Sequence, residues 1–144
     1  MTRINLVPPQ ILTDQHLLAE TREITRLPNN YTRMSKTAKI PFEYCLGTGH
    51  VLFFVMKPFF TLNRYLELRE ECRIRKFNVQ DFSSNWDVYK FYERTEYIPK
   101  LKDKKLNVER IKEKIFMKPE WYRLNGTPIN PNEYIFELDN IINL

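Results

Sequence analysis

A chain of 144 residues, 42% hydrophobic and 14% aromatic, is long enough to fold as one domain with its own core, which excludes a disordered protein. A net charge of +5 and a pI near 9.2 favour an anionic partner, most often nucleic acid. Two cysteines, no apolar leader and no run of membrane-spanning length exclude a disulfide framework and a membrane partner, and make an intracellular, reducing setting the expectation.

Residues 2–12 read as an extended or irregular arm interrupted by Pro8-Pro9. Thr13 or Asp14 then offers an N-cap, because either side chain can accept a bond from an orphan amide of the first turn. The first helix is expected to run to about Leu27, where Pro28 breaks or kinks it and Pro28-Asn29-Asn30 signals a turn. A second helical piece is expected over Tyr31 to Lys39, with Arg33, Lys36 and Lys39 exposed and Pro41 beyond its end. Leu46-Gly47-Thr48-Gly49-His50 is a tight loop. No Gly-Lys-Ser/Thr follows, so it is not a Walker phosphate loop. The apolar run Val51 to Met56 is buried but of ambiguous type. After Pro58 a helix is expected from about Phe59 to Phe77, with Leu62, Tyr65, Leu66 and Cys72 inward and Arg64, Glu67, Glu70 and Arg75 facing water. Residues 78–105 are irregular and carry Trp86, Tyr89, Phe91, Tyr92 and Tyr97, so they are either functional or packed by those rings. A third helix is expected from Leu106 or Asn107 to about Met117, with Val108, Ile111 and Ile115 inward. The fold class is therefore mainly α, a single compact domain of three principal helices with long irregular connections. Its last stretch, Thr127 to Leu144, is acidic and apolar.

One helix face stands apart. At ~100° per residue, Gln15, His16, Ala19, Arg22, Glu23 and Arg26 share an arc of roughly 120°. Two arginines, a carboxylate, an imidazole and an amide around one alanine resemble the wall of a site more than a solvated Lys/Glu face. The chain start supplies a candidate nucleophile. Once Met1 is removed, Thr2 presents a free α-amine whose ordinary pKa is about 7.7–8.0, so a useful fraction is neutral near pH 7. Arg3, Arg22 and Arg26 nearby would lower it further. A neutral amine attacks electrophilic carbon and forms an imine, and Glu23 can hold positive charge or move a proton. The bland readings are an inert threonine, a surface ion pair of Glu23 with arginine, a structural His16, and Trp121 and Tyr122 as core rings. Trp121 and Tyr122 beside Lys118 and Arg123 also suit stacking on bases. His16, Cys45, His50 and Cys72 lack the paired short spacings of a structural zinc site, so no metal is expected. Spacing alone leaves a basic helical domain that binds nucleic acid.

The chain also resembles the pyrimidine-dimer DNA glycosylase family, or phage-type endonuclease V family. The matching segments follow one another in order: Thr2 to Leu6, Asp14 to Leu17 with Ala19-Glu20 and Arg22-Glu23, Leu46 to Val51 with Phe53-Phe54, Glu71-Cys72 with Phe77-Asn78, and Pro119, Trp121-Tyr122 and Gly126. They divide the chain into a glycosylase-like domain over 1–126 and a C-terminal extension over 127–144. The resemblance implies an enzyme without a metal or organic cofactor, acting as a monomer on ultraviolet-damaged duplex DNA. It implies Thr2 and Glu23 as catalytic residues, an imine at the sugar C1′ after loss of the 5′ base of a cyclobutane dimer, and β-elimination. Arg3, Gln15, His16, Arg22, Arg26, Trp121 and Tyr122 become the implied DNA contacts. With Met1 in place the Thr2 nitrogen is an amide and cannot be the nucleophile. A non-catalytic basic DNA-binding module, or a lyase or glycosylase for another lesion, is the alternative.

Overall fold

The computed structural model describes residues 4–89 and 96–142. Thr13 caps the first helix, α1 (Asp14–Glu23), its hydroxyl accepting the His16 N–H at 3.2 Å. The helix does not run on to Leu27. A 3₁₀ turn, Ile24–Arg26, leads into α2 (Leu27–Arg33). Pro28 explains the change: its ring would clash with the carbonyl of residue 24 in a continuous α-helix. In the first turn of a new helix its missing N–H costs nothing. The chain therefore kinks there, and the second helix starts before the expected turn and ends at Arg33, short of Lys39.

The ambiguous apolar run is helical, α3 (His50–Val55), and enters from Gly49 at φ 94°. A Cβ at Gly49 would also come within 3.0 Å of the Pro41 ring, so this turn requires glycine. The long helix α4 spans Pro58–Ile74, close to the expected bounds. Tyr65 and Cys72 are inward as expected and Leu62 is partly buried, but Leu66 is exposed. Arg64 and Arg75 do not face water, because both are buried against the N-terminal arm. Ser83–Val88 form a 3₁₀ segment held by its own ring and that of Tyr89 just beyond it. Trp86 stacks on Tyr65 at 5.1 Å and donates to the Thr61 hydroxyl, and the Tyr89 hydroxyl donates to the Val55 carbonyl. Phe91 and Tyr92 lie outside the described residues.

The third long helix, α5 (Leu101–Met117), starts a turn and a half before the expected residue. The Asp103 carboxylate sets that start by accepting the Lys100 N–H at 3.1 Å. Val108, Ile111 and Ile115 are buried as expected. A short hairpin follows, β1 (Arg123–Leu124) paired antiparallel with β2 (Thr127–Pro128). Its two-residue turn is Asn125-Gly126, both at positive φ, the preferred chemistry for such a connection. The last helix, α6 (Pro131–Ile142), lies on α5. Its Tyr134 and Leu138 are buried in the common core, and the Tyr134 hydroxyl donates to the Ile11 carbonyl. The fold is mainly α, with six helices among the described residues where three principal ones were expected.

Candidate active site

The N-terminal arm, described from Ile4, is fixed to the rest of the fold by buried side chains and polar bonds. Ile4 and Val7 are buried, and residues between them are held by a polar network. The Asn5 amide donates to the Glu20 carboxylate at 2.8 Å, and its oxygen accepts from Asn107 at 2.8 Å. The Asn107 oxygen in turn accepts the Leu6 N–H at 2.7 Å. Arg64 closes the network with a bidentate pair to Glu20, at 2.8 and 3.0 Å, and a bond to the Val7 carbonyl. Arg75 does the same one stretch later: it binds the carbonyls of Pro9, Gln10 and Leu12 and pairs with Asp14 and Glu71. Arg64 of α4 and Arg75, the residue that ends it, thus replace the strand partner that an extended arm would otherwise need. The imidazole of His50 accepts the Ile4 N–H at 2.8 Å. Thr2 and Arg3 lie outside the described residues.

On α1 the packed face is Leu17, Glu20 and Thr21, continued by Ile24, set against α4 and the arm. The opposite face carries Gln15, His16, Ala19, Arg22 and Glu23. Arg22 and Arg26 are exposed and make no ion pair with a described residue. Glu23 is half-buried. The 3₁₀ turn matters here: three residues complete a turn, so residues i and i+3 eclipse. It carries Arg26 toward the azimuth of Glu23, where a continuous α-helix would have left it offset.

The start of α1 is bolted to the C-terminal hairpin. Asp14 accepts the N–H groups of Asn125 and Gly126 at 2.9 and 2.8 Å. The Gln15 amide donates to the Trp121 carbonyl at 2.7 Å and accepts the Arg123 N–H at 3.0 Å. His16 stacks on Tyr122 with ring centroids 4.9 Å apart and planes 7° from parallel, and shares a hydrogen bond with Thr13. Burial, with Lys114 nearby, pushes the His16 pKa down to about 4, so the ring is neutral at pH 7. Tyr122 is buried under that stack, and burial pushes its phenol pKa up. Trp121 is 53% exposed, with the Lys118 ammonium 5.3 Å over its ring.

The structure therefore brings together Gln15, His16, Trp121 and Tyr122 at one end of the polar face and Arg22, Glu23 and Arg26 at the other. Asp14, Asn5, Glu20, Asn107, Arg64, Arg75 and His50 support this arrangement without having been singled out by their spacing. The signal for four of them was present in the quoted segments: Asn5, Asp14, Glu20 and His50 are polar residues inside the segments that carry the resemblance.

A basic, mainly helical protein with an arginine-bearing helix face is suited to a phosphate-bearing partner. A sequence model described as pyrimidine dimer DNA glycosylase matches residues 1–85 of the 144. The chain belongs to that family, whose members act on DNA as repair glycosylases. The match includes the arm, α1, the glycine turn and α4, and ends before α5 and the hairpin. Among the described residues no helix is long and apolar enough to cross a membrane, and no group of three or more His, Cys, Asp and Glu is placed to hold a metal ion.

Proposed function

We propose that the protein repairs cyclobutane pyrimidine dimers in duplex DNA, using the α-amine of Thr2 as nucleophile and Glu23 as its partner. The observation that supports this most is the register of the arm. Asn5 is bonded to Glu20, and Glu23 is three residues further along the same helix, a spacing that puts side chains ~5–6 Å apart. From Ile4, Thr2 is two residues away, a reach of at most ~7 Å. The polar face is thus within range of the chain start.

In the proposed reaction the neutral amine attacks the sugar C1′ of the 5′ nucleotide of the dimer. The glycosidic bond breaks and its electron pair leaves with the base, which takes up a proton. The sugar ring opens as O4′ accepts a proton, leaving an imine between C1′ and the Thr2 nitrogen. Loss of a C2′ proton then expels the 3′ phosphate and cuts the strand. Glu23 stabilises positive charge at C1′ and moves protons at these steps. Arg22, Arg26 and Arg3 bind phosphates through charge-assisted bonds, and the same charges keep the amine neutral. Trp121 offers its exposed ring to a base. Gln15, His16 and Tyr122 contribute to DNA binding by holding that ring and its backbone in place. The target nucleotide leaves the stack to be reached.

The test is strand cutting on three duplexes: ultraviolet-irradiated, abasic and undamaged. The expected result is cutting of the first two by protein lacking Met1. Thr2→Pro should cut neither, and Glu23→Gln should lose cutting of the irradiated duplex. Tight binding without cutting of any damaged duplex would instead make this a non-catalytic DNA-binding module. Cutting of abasic duplex alone would confine it to lyase chemistry.

A further inference from the structure

The last described anchor of the arm before the chain start is His50. It is fully buried at the first position of α3, directly after the Gly49 turn. A backbone N–H can only donate, so the Nε2 that receives the Ile4 N–H at 2.8 Å carries no proton. The ring proton is then on Nδ1, which donates to the Cys45 carbonyl at 2.8 Å. One tautomer satisfies both ends. Tyr44 and Phe54 meet the ring edge-on, with centroids 5.6 and 5.2 Å away, and hold its orientation. The next anchors act further from the start: Glu20 holds the Asn5 side chain, one residue on, and Asn107 holds that side chain and the Leu6 N–H, two residues on.

We propose that His50 is a positioning residue for the N-terminal amine: by fixing the main chain at Ile4, its Nε2 sets the line along which Thr2 reaches Glu23. The proposal rests on the Thr2 nucleophile. The physical reason is leverage. With Ile4 fixed, only two residues separate the anchor from the amine. With Ile4 released, the free segment lengthens and the amine is displaced by ångströms. A 1 Å misplacement in such a geometry costs on the order of 10²-fold in rate. The glycine turn acquires a task on this account, since it brings His50 under the arm.

The experiment compares His50→Asn and His50→Gln by the rate of borohydride-trapped adduct on abasic duplex, DNA affinity and unfolding midpoint. Asparagine can donate to Cys45 but leaves the Ile4 N–H without its acceptor, whereas glutamine places an oxygen near the site of Nε2. The expected result is a loss of trapping of roughly 100-fold for His50→Asn with affinity within about twofold of wild type, and recovery of at least about tenfold in His50→Gln. A third protein covers the case in which these variants fail to fold. A synthetic 2–44 segment with an ester in place of the Ile4 amide, ligated to Cys45, removes that one N–H and leaves His50 intact. It should lose trapping to the same degree. Wild-type trapping rates in His50→Asn or in the ester protein would overturn the proposal, as would equal losses in Asn and Gln variants that track their midpoints. Absence of any adduct at the wild-type N-terminus would overturn the Thr2 reading itself, a distinct outcome.

Discussion

Glu20 is 1% exposed, and its charge is tolerable there because Arg64 meets both of its oxygens. Removing one partner of such a pair strands the other in the core, which costs about 3–5 kcal/mol. Arg64→Ala should therefore destabilise the fold by about that amount in chemical denaturation, and should also loosen the arm, since the Val7 carbonyl loses its donor. Neither Arg64 nor Arg75 could be read as buried from the helix pattern. An amphipathic stripe assigns arginine to water by default, and the partners that reverse this lie 44 and 61 residues away in sequence. The polar face of α1 was legible because all its members sit on one helix. His16 gives a further consequence at this scale. Its folded pKa of about 4 lies below the ordinary 6.5, so the fold favours the neutral ring. Between pH 6.5 and 4 the unfolded chain binds a proton that the folded one refuses. Its contribution is thus fully present above pH 6.5 and is lost as pH falls toward 4, by roughly 3 kcal/mol in all. His16→Gln should flatten that part of the stability profile, as read from urea midpoints at pH 7 and pH 4.5. An unchanged slope would place the acid sensitivity in another group.

At the scale of elements, the junction of α1 with the hairpin holds one end of the site. Asp14 binds two consecutive N–H groups of the Asn125-Gly126 turn and also pairs with Arg75, so a single carboxylate ties helix, hairpin and arm together. Asp14→Ala should cost about 1–3 kcal/mol, because it leaves donors of the turn unsatisfied. It should also weaken binding to duplex by releasing Trp121 and Tyr122 from the α1 face. Denaturation and fluorescence anisotropy on the same variant check the two parts. Sequence reading placed the starts of α1 and α4 well, where Thr13 and Pro58 mark them. It misplaced the end of α1, because Pro28 serves equally as a breaker or as the opening of a new helix. Only packing decides between these. The start of α5 was missed because a charged, lysine-rich first turn shows no apolar period.

Across the whole molecule, α1, α4 and α5 hold the arm from Ile4 onward, and α6 adds Tyr134 and Leu138 to the core and a bond to the Ile11 carbonyl. The mainly α class was legible in composition and periodicity. The hold on the arm was not, because the Asn5–Asn107 bond spans 102 residues and no local pattern announces it. The central claim concerns one nitrogen and one carboxylate. Its most direct test is to trap the protein on abasic duplex with borohydride, digest the adduct and locate the attached sugar by mass spectrometry. The account predicts attachment at the α-nitrogen of Thr2 in protein that has lost Met1, and none in protein that retains it. Attachment to a lysine side chain, or an adduct formed equally well with Met1 in place, would contradict it.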